Sequence, residues 1–447
     1  MSFPADFVWG AAAASYQIEG GWQADGKGLS VWDVFAHRPD TIYNGDTGDV
    51  ACDHYHRYQD DVALMQEIGL QAYRFSLSWP RILPEGTGAI NPAGLDFYDK
   101  LVDTLLAAHI QPYATLFHWD LPYALYLRGG WKNRDIADWF ADYTTIVVEK
   151  LGDRVKHWMP LNEPVVFLLI GHREGRHAPG DKVCDQDFVY MMHNMFLTHG
   201  KAVQAIRAAS PGACKVGSAN AGAHTFPATE SEADIEAARQ AMFSPHNPWS
   251  QGWWSDPMML GQYPDDTSIW GGYAIPVQAG DMEIIRQPLD FFGFNVYQGV
   301  AVRAGENGLP EVLPRLTGSA LTLTQWPVTP EVLHWPPRFY YDRYHLPILI
   351  SENGLSLPDW VALDGKVHDP GRIDFVGRYL RAYKQAAAAG VPLVGYMHWS
   401  IMDNFEWAEG MKHRFGLIHV DYQTLKRTLK DSAYWYKDVI ASNGANL

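Results

Sequence analysis

The sequence has few cysteines, no cluster of basic residues and no long apolar run. Its three cysteines, Cys52, Cys184 and Cys214, are odd in number and widely spaced, which excludes a disulfide framework. The 35 Lys and Arg are outnumbered by 51 Asp and Glu, a net charge of −16, so we expect no binding to nucleic acid or to an anionic membrane. The longest apolar stretches, 8–14 and 165–170, are too short to span a bilayer.

The N-terminus does not resemble a secretory signal, because no basic residue precedes its first apolar segment and an acidic residue, Asp6, does. We therefore expect a cytoplasmic location. Among 447 residues, 47% are hydrophobic, which argues against disorder. The 40 Gly and 28 Pro are too few for a collagen-like or low-complexity chain.

A short strand-like run followed by a helical pattern recurs eight times along the chain. The predicted strands are 7–9, 72–79, 111–117, 155–159, 214–218, 291–294, 347–350 and 393–397. Amphipathic stretches with helical periodicity lie between them, at 58–69, 96–109, 135–151, 187–209, 373–389 and 431–440.

Eight alternations of strand and helix favour a parallel sheet closed into a single (β/α)8 barrel, which we expect to occupy 1–447 as one catalytic domain. An open doubly wound sheet is the competing architecture, but no G-x-G-x-x-G motif follows an early strand. Segments 221–285 and 301–345 exceed a minimal connection and are expected to elaborate the rim at the carboxyl ends of the strands.

Polar residues follow the predicted strands, at the barrel end where catalytic side chains of such folds lie. They are Gln17, Arg74, His118, Asn162, Glu163, Asn220, Asn295, Glu352 and Glu406. Any one of them is typical of a solvated loop, whereas their joint occurrence indicates a site.

Glu163 and Glu352 follow the fourth and seventh strands, which a closed barrel brings to the same opening. Two carboxyl groups facing one cleft are the minimum for cleaving a glycosidic bond, provided that one stays protonated and the other ionised. Arg74 and Asn295 are expected to favour the charged form of Glu352. Apolar surroundings and the facing anion are expected to raise the pKa of Glu163.

Several sequence blocks resemble glycoside hydrolase family 1, the β-glucosidase and β-galactosidase family, over nearly the whole chain. They are 7–20 (FVWGAAAASYQIEG), 162–164 (NEP), 351–354 (SENG), 399–410 (WSIMDNFEWAEG), 414–417 (RFGL) and 420–422 (VDY). The NEP and ENG triplets are weak signals alone, but the ordered set at strand ends is specific.

The resemblance implies that Glu163 is the general acid/base and Glu352 the nucleophile of a retaining hydrolysis. Retention requires the two carboxyl groups to lie about 5–5.5 Å apart. Arg74 and Tyr297 are expected to tune the nucleophile. The expected substrate-binding residues are Gln17, His118, Asn162, Asn220, Asn295, Tyr297, Trp326, Trp399, Glu406, Trp407 and Phe415. Asn162 is expected to bond the sugar 2-hydroxyl, and Trp399 to stack on the sugar ring.

Other interpretations of these residue types lead away from catalysis. Trp399 and Trp407 are compatible with core aromatics, and His118 with a structural histidine. The pairs His54/His56 and His172/His177 suggest a metal, but none has H-E-x-x-H spacing, so we expect neither metal nor cofactor. Cys184 and Cys214 are expected to be buried apolar residues.

Two positions bear on substrate choice within the family. A carboxylate at Glu406 repels a phosphate dianion and accepts bonds from two hydroxyls, expected to be O4 and O6, which predicts an unphosphorylated glycoside. The family usually has Trp where this chain has Val165, so the leaving-group side is expected to be differently shaped, with Trp326 as its remaining platform.

The sequence thus predicts a β-glucosidase, with β-galactosidase and β-fucosidase activity also expected. Its substrates would be small β-glycosides such as cellobiose, short β-oligosaccharides and aryl or alkyl β-glucosides. A catalytically weak sugar-binding relative and a predominant transglycosylase are the alternatives.

Overall fold

A computed structural model describes residues 2–447 of the chain. Its strands are β1 (Val8–Ala13), β2 (Ala72–Ser76), β3 (Gln111–Phe117), β4 (His157–Leu161), β5 (Lys215–Val216), β6 (Thr225–Pro227), β7 (Phe292–Asn295), β8 (Val300–Ala304), β9 (Pro310–Val312), β10 (Ile348–Asn353), β11 (Leu393–Trp399), β12 (Ile418–Val420) and β13 (Arg427–Leu429).

Eight of these strands form one parallel sheet in the order β5-β4-β3-β2-β1-β11-β10-β7. The two edge strands meet through parallel bridges from Gly217 to Phe291 and from Asn220 to Phe294, which close the sheet into a barrel. The predicted (β/α)8 barrel is therefore confirmed, and the open doubly wound sheet is excluded.

All eight predicted barrel strands are present, because a strand buried on both faces is an apolar run that is visible in sequence. The fourth, β4, begins and ends two residues later than the predicted 155–159 and so delivers Asn162 directly at the rim. Small residues let β1 lie close to its neighbours. A side-chain carbon on Gly10 would overlap with the sulfur of Met397 and approach the carbonyl oxygen of Ala72.

The α-helices are α1 (Ser15–Ile18), α2 (Val31–Ala36), α3 (His54–Ile68), α4 (Trp79–Ile82), α5 (Pro92–Ala107), α6 (Tyr123–Leu127), α7 (Ile136–Leu151), α8 (Pro164–Leu168), α9 (Asp185–Ala209), α10 (Glu232–Met242), α11 (Gln251–Trp254), α12 (Asp256–Leu260), α13 (Asp281–Ile285), α14 (Trp335–Tyr344), α15 (Pro370–Ala388) and α16 (Asp431–Ala441). Short 3-10 turns and one π-helix, Leu169–Glu174, complete the helical elements.

The six predicted helices correspond to α3, α5, α7, α9, α15 and α16, with differences at their starts. Helix α5 begins at Pro92, four residues before the predicted position, because proline is accommodated in the first helical turn rather than breaking the helix there. Helix α3 also begins four residues early, at His54.

The two long insertions carry structure of their own. Residues 221–285 contain β6 and α10 to α13, and β6 forms a small separate sheet with β8 and β9 in which β8 is the middle strand. Residues of both insertions, among them Trp249 and Trp326, reach the cavity at the carboxyl end of the barrel.

Aromatic side chains fill much of the core. Eight tryptophans are fully buried among the largest core side chains: Trp9, Trp32, Trp79, Trp131, Trp158, Trp253, Trp254 and Trp270. Trp399 and Trp407 are also buried, but they line the cavity and so differ from these core residues.

The cysteine prediction was wrong for Cys184, which is exposed because it is the residue at which helix α9 is capped. Cys214 is only half-buried, and Cys52 is buried. Within residues 2–447, no helix combines the length and the apolar character needed to cross a membrane.

Candidate active site

A cavity of about 780 Å³ opens at the carboxyl ends of the barrel strands. The side chains that directly follow or end these strands line it: His118 after β3, Glu163 after β4, and Asn295, Glu352 and Trp399 at the ends of β7, β10 and β11. A cavity of this size is in the range that holds a small ligand.

Ten of the predicted site residues line this cavity, and four do not. The lining residues are His118, Glu163, Asn295, Tyr297, Trp326, Glu352, Trp399, Glu406, Trp407 and Phe415. Gln17, Arg74 and Asn162 are buried directly behind the lining, each hydrogen-bonded to a residue of it. Asn220 is directed elsewhere, because its amide donates to the Trp254 carbonyl and the Ser255 hydroxyl.

Glu352 is buried and accepts hydrogen bonds at both carboxyl oxygens. Arg74 donates from Nη1 to Oε1 at 2.5 Å, and the Tyr297 hydroxyl donates to Oε2 at 2.7 Å. Burial raises the pKa of Glu352, whereas the Arg74 guanidinium and the Tyr297 hydroxyl oppose the rise. Glu352 is thus the carboxyl group of this pair whose charged form a cation stabilises.

Glu163 has the opposite environment. It lies immediately before α8 in the left-handed region, with φ of 48°, and Pro164 starts the helix. A non-glycine residue in this conformation is uncommon and is often found at functional positions. Burial and the negative charge of Glu352 raise the pKa of Glu163 to about 8, although an amide hydrogen bond from Asn295 opposes the rise. Near neutral pH its protonated form predominates.

A short hydrogen-bond relay connects the two carboxyl groups. Arg74 donates from Nη2 to Asn162 Oδ1 at 2.6 Å, and Asn295 Nδ2 donates to the same oxygen at 3.0 Å and to Glu163 Oε1 at 2.9 Å. Asn295 was predicted to favour the charged form of Glu352, and its hydrogen bonding does oppose the raised pKa of that group, while its amide also contacts Glu163. Because Oε1 of Glu163 accepts this bond, its proton is left for Oε2.

The same relay determines the tautomer of His118. Since Asn162 Oδ1 accepts from Arg74, Asn162 Nδ2 must face His118 Nε2, at 3.0 Å, and donate to it. Burial and the charge of Arg74 lower the pKa of His118. The imidazole is therefore neutral and carries its hydrogen on Nδ1, where it is a donor for a ligand hydroxyl.

Glu406 lies on the other side of the cavity with Gln17 behind it. Gln17 Nε2 contacts Glu406 Oε2 at 3.4 Å and donates to the Phe405 carbonyl at 2.8 Å, whereas Gln17 Oε1 is buried with no partner among residues 2–447. Burial and the charges of Glu352 and Glu409 raise the pKa of Glu406 to about 8. Gln17 and Glu406 together offer unused acceptors for hydroxyl groups.

Flat aromatic surfaces form two parts of the wall. Trp399 lies beside His118, with ring centroids 5.8 Å apart and planes 24° from parallel. Trp326 contacts Tyr297 at a centroid distance of 5.1 Å, and Phe415 lies 6.2 Å from each of these two rings. The first surface lies near the strand ends and the second near the insertions.

The outer part of the cavity contains residues that the sequence did not point to. They are Tyr43, Trp119, Val166, Ile170, Glu174, Arg176, His177, His224, Trp249, Glu409, Lys412 and His413, with short backbone segments. Some lie in or beside the motifs, as Trp119, Val166 and Glu409 do, and others lie in segments without a motif, as Tyr43 and Trp249 do. The sequence resemblance had suggested that Val165 shapes the leaving-group side. The Val165 side chain is fully buried, and its neighbour Val166 faces the cavity.

The histidines considered as metal ligands have other partners. His54 contacts Asp61 at 2.8 Å, and His172 contacts Asp181 at 2.9 Å. His177 lines the cavity, apart from His172. Within the described residues, no group of three His, Cys, Asp or Glu side chains is arranged to hold a metal ion.

The chain matches the family model described as glycosyl hydrolase family 1 over residues 1–445. It is 46% identical over 444 residues to a 1,4-beta-D-glucan glucohydrolase of Thermotoga neapolitana, with 99% of both chains covered. It is 40% identical to an aryl-phospho-beta-D-glucosidase of Bacillus subtilis, covering 100% of this chain and 98% of the relative. The structure of a Thermotoga maritima beta-glucosidase in complex with glucoimidazole has a TM-score of 0.90 at 43% identity and covers 99% of both chains.

Close backbone approach at Gly354 yields a first prediction. A side-chain carbon at this position would overlap with the Trp399 carbonyl oxygen. We expect Gly354→Ala to force apart the segments that follow β10 and β11, and to lower the free energy of unfolding by about 1–3 kcal/mol, the usual cost of overpacking. Denaturant unfolding measures this. Gly212→Ala is the control, since no atom lies within 4 Å of a carbon added there, and an equal loss in both variants would contradict the argument.

Proposed function

Because the chain belongs to glycosyl hydrolase family 1, we propose that it is a retaining β-glucosidase acting on terminal, unphosphorylated β-D-glycosides. Relatives named as glucan glucohydrolase and beta-glucosidase at 46% and 44% identity support the glucosidase assignment. The substrates would include cellobiose, short β-oligosaccharides and aryl or alkyl β-glucosides.

One observation carries the proposal. Two buried carboxyl groups line one cavity, and only Glu352 has a guanidinium within hydrogen-bonding distance, whereas Glu163 keeps its proton up to about pH 8. Glycoside cleavage needs this division between a carboxylate and a carboxylic acid.

In the first step of the proposed reaction, Glu352 attacks the anomeric carbon as Glu163 donates its proton to the glycosidic oxygen. The bond to the leaving group breaks, and a glycosyl ester forms on Glu352. Arg74 and Tyr297 hold the attacking carboxylate through one bond to each oxygen. The covalent ester is the intermediate of a retaining mechanism.

The second step reverses the role of Glu163. Esterification removes the charge of Glu352, which is one of the two main causes of the raised pKa of Glu163. The pKa of Glu163 therefore falls in the intermediate, and the carboxylate can accept a proton from the water that attacks the ester. One residue can act in turn as acid and as base because its neighbour changes charge.

Recognition of the sugar is assigned to the inner part of the cavity. Trp399 offers a flat face for the apolar side of the ring, and His118 a neutral Nδ1 donor. Gln17 and Glu406 provide acceptors that suit O4 and O6. Since such acceptors tolerate either configuration at O4, we propose activity on β-galactosides and β-fucosides as well. Asn162 retains one amide hydrogen for the 2-hydroxyl, and Trp407 adds an indole N–H.

The leaving group is assigned to the outer part of the cavity, between Trp326 and the segment that carries Val166. Trp326 is half-buried and lines the cavity beside Tyr297, which contacts the nucleophile. This position suits a platform for an aryl group or a second sugar. A predominant transglycosylase would use the same residues and differ only in the acceptor.

A direct test is Glu352→Gln, which removes the nucleophile but preserves its shape. We expect the wild-type protein to hydrolyse 4-nitrophenyl β-D-glucoside, and the variant to lose more than about 10⁴-fold in kcat, as for other essential nucleophiles. Glu174→Gln is the matched control, because Glu174 lines the same cavity without a proposed role. An inert wild-type protein that still binds glucose would instead indicate a sugar-binding relative.

The pKa of Glu163 leads to a pH prediction. Catalysis needs its protonated form, so kcat/KM for an alkyl β-glucoside should fall as the pH rises above about 8. We expect Glu163→Gln to remove this alkaline decline and to lower kcat/KM by about 10²–10⁴-fold for the alkyl glucoside. A dinitrophenyl glucoside, whose leaving group needs no proton, should be cleaved to form the ester nearly as fast as by the wild type. If the decline persists in Glu163→Gln, the acid assignment is wrong.

One relative at 40% identity is named an aryl-phospho-beta-D-glucosidase, so a phosphorylated substrate has to be compared with the unphosphorylated one. Among residues 2–447, no cationic side chain forms an ion pair with Glu406, and Lys412 is paired with Glu409. A 6-phosphate beside Glu406 would therefore meet a carboxyl group that has no paired cation. We expect kcat/KM for 4-nitrophenyl β-D-glucoside 6-phosphate to be at least about 10²-fold below that for the unphosphorylated substrate. The reverse preference would refute the unphosphorylated assignment.

A further inference from the structure

A buried group of charged side chains lies behind the cavity wall, and none of its members lines the cavity. We name this group the buried ion cluster; it consists of Asp359, Arg372, Asp403, Arg414 and Lys430. Lys430 is fully buried and donates to Asp359 Oδ2 and to Asp403 Oδ1, each at 2.6 Å. Arg414 donates to the other oxygen of Asp403 at 2.7 Å, and Arg372 is paired with Asp359.

The cluster joins separate parts of the chain. Asp359 lies in the segment after β10, the strand that carries Glu352. Asp403 lies in the segment after β11, three residues before Glu406. Lys430 lies between β13 and α16. A single ammonium group therefore connects the two segments that bear the nucleophile and the proposed glycone acceptor.

Glu406 has few contacts of its own. Its side chain has one hydrogen-bond partner, Gln17 Nε2 at 3.4 Å, within the described part of the chain. Its position therefore depends on its backbone, whose N–H donates to the Gly410 carbonyl. On the preceding side, the chain is held at Asp403, whose N–H donates to the Ile418 carbonyl and whose carboxylate is bound by Lys430.

Phe415, in the cavity wall, is held on both sides by the same carboxylate. Arg414 donates to Asp403 Oδ2, and the N–H of Gly416 donates to Asp403 Oδ1 at 3.0 Å. Any displacement of Asp403 is thus transmitted to Glu406 and to Phe415 together.

We propose that Lys430 is a positioning residue that, through Asp403, places Glu406 against the hydroxymethyl group of the sugar and so determines the preference for hexosides over pentosides. This inference rests on the proposed β-glucosidase function. Without the ammonium group, Asp359 and Asp403 would keep Arg372 and Arg414 as partners but would lose the only cation that binds both of them among residues 2–447, so the two segments would no longer be joined here.

The test compares two substrates that share a leaving group and differ only in the hydroxymethyl group: 4-nitrophenyl β-D-glucoside and 4-nitrophenyl β-D-xyloside. For Lys430→Met we expect kcat/KM to fall about 10–100-fold on the glucoside, the scale of a small misplacement in a binding site. On the xyloside, which keeps O4 but lacks O6, we expect a loss that is at least about 3-fold smaller. We define the substrate ratio as kcat/KM on the glucoside divided by kcat/KM on the xyloside. Lys430→Arg, which keeps the charge, should restore part of the wild-type substrate ratio.

Two further variants separate positioning from general stability. Lys27→Met removes another buried lysine, whose partner is Asp33 at 2.7 Å and which does not line the cavity. It should lower the melting temperature and leave the substrate ratio unchanged. If Lys430→Met does not fold, Arg414→Gln removes the partly exposed tie to Asp403 and should lower the same ratio.

An equal loss on both substrates in Lys430→Met or Arg414→Gln, or an unchanged ratio, would overturn the inference. Failure of the proposed function has a different signature, since the wild-type protein would then not cleave the glucoside, or Glu352→Gln would remain active. The two failures are therefore distinguishable in one set of assays.

Discussion

The contact between Arg74 and Glu352 is the interaction on which the rest of the site depends. Arg74 lies on β2 and is 1% exposed, so its charge needs a buried partner, and Glu352 provides it. A second nitrogen of Arg74, Nη2, donates to Asn162, which in turn orders His118 and shares its oxygen with Asn295. The Arg74–Glu352 ion pair thus favours the charged form of Glu352 and the neutral form of His118. Through Asn162, it also positions the hydrogen bonds that lead to Glu163.

Much of the barrel and the inner site could be predicted because both follow from where apolar runs stop. Parallel strands buried on both faces are apolar throughout, so the first polar residue after each run lies at the rim. His118, Glu163 and Glu352 were found in this way, and the family membership of the chain is confirmed. The strand positions needed corrections of only a few residues, as at β4.

The other features of the site could not be predicted, because they depend on the folded path of the chain, which local sequence patterns do not encode. Asn220 follows a two-residue strand, β5, and its amide turns to Trp254 in an insertion instead of the cavity. The left-handed conformation of Glu163 orients the start of α8 so that Val166, rather than Val165, faces the cavity. Arg176 and Trp249 reach the cavity from long segments without periodicity, and only the folded chain brings them there.

The protonation states of the carboxyl groups in the cavity also fit the positive charge that develops on the sugar in the proposed reaction. Three carboxyl groups, Glu163, Glu352 and Glu406, lie close enough to affect one another, yet a cation contacts only Glu352. Since the pKa values of Glu163 and Glu406 are raised to about 8, these two groups are mainly protonated near neutral pH, whereas Arg74 favours the charged form of Glu352. Three ionised carboxylates in one cavity would repel one another, and a cavity without an ionised carboxylate would lack a nucleophile. Departure of the leaving group makes the sugar ring positive, and that charge then develops against the single carboxylate that is already ionised and oriented.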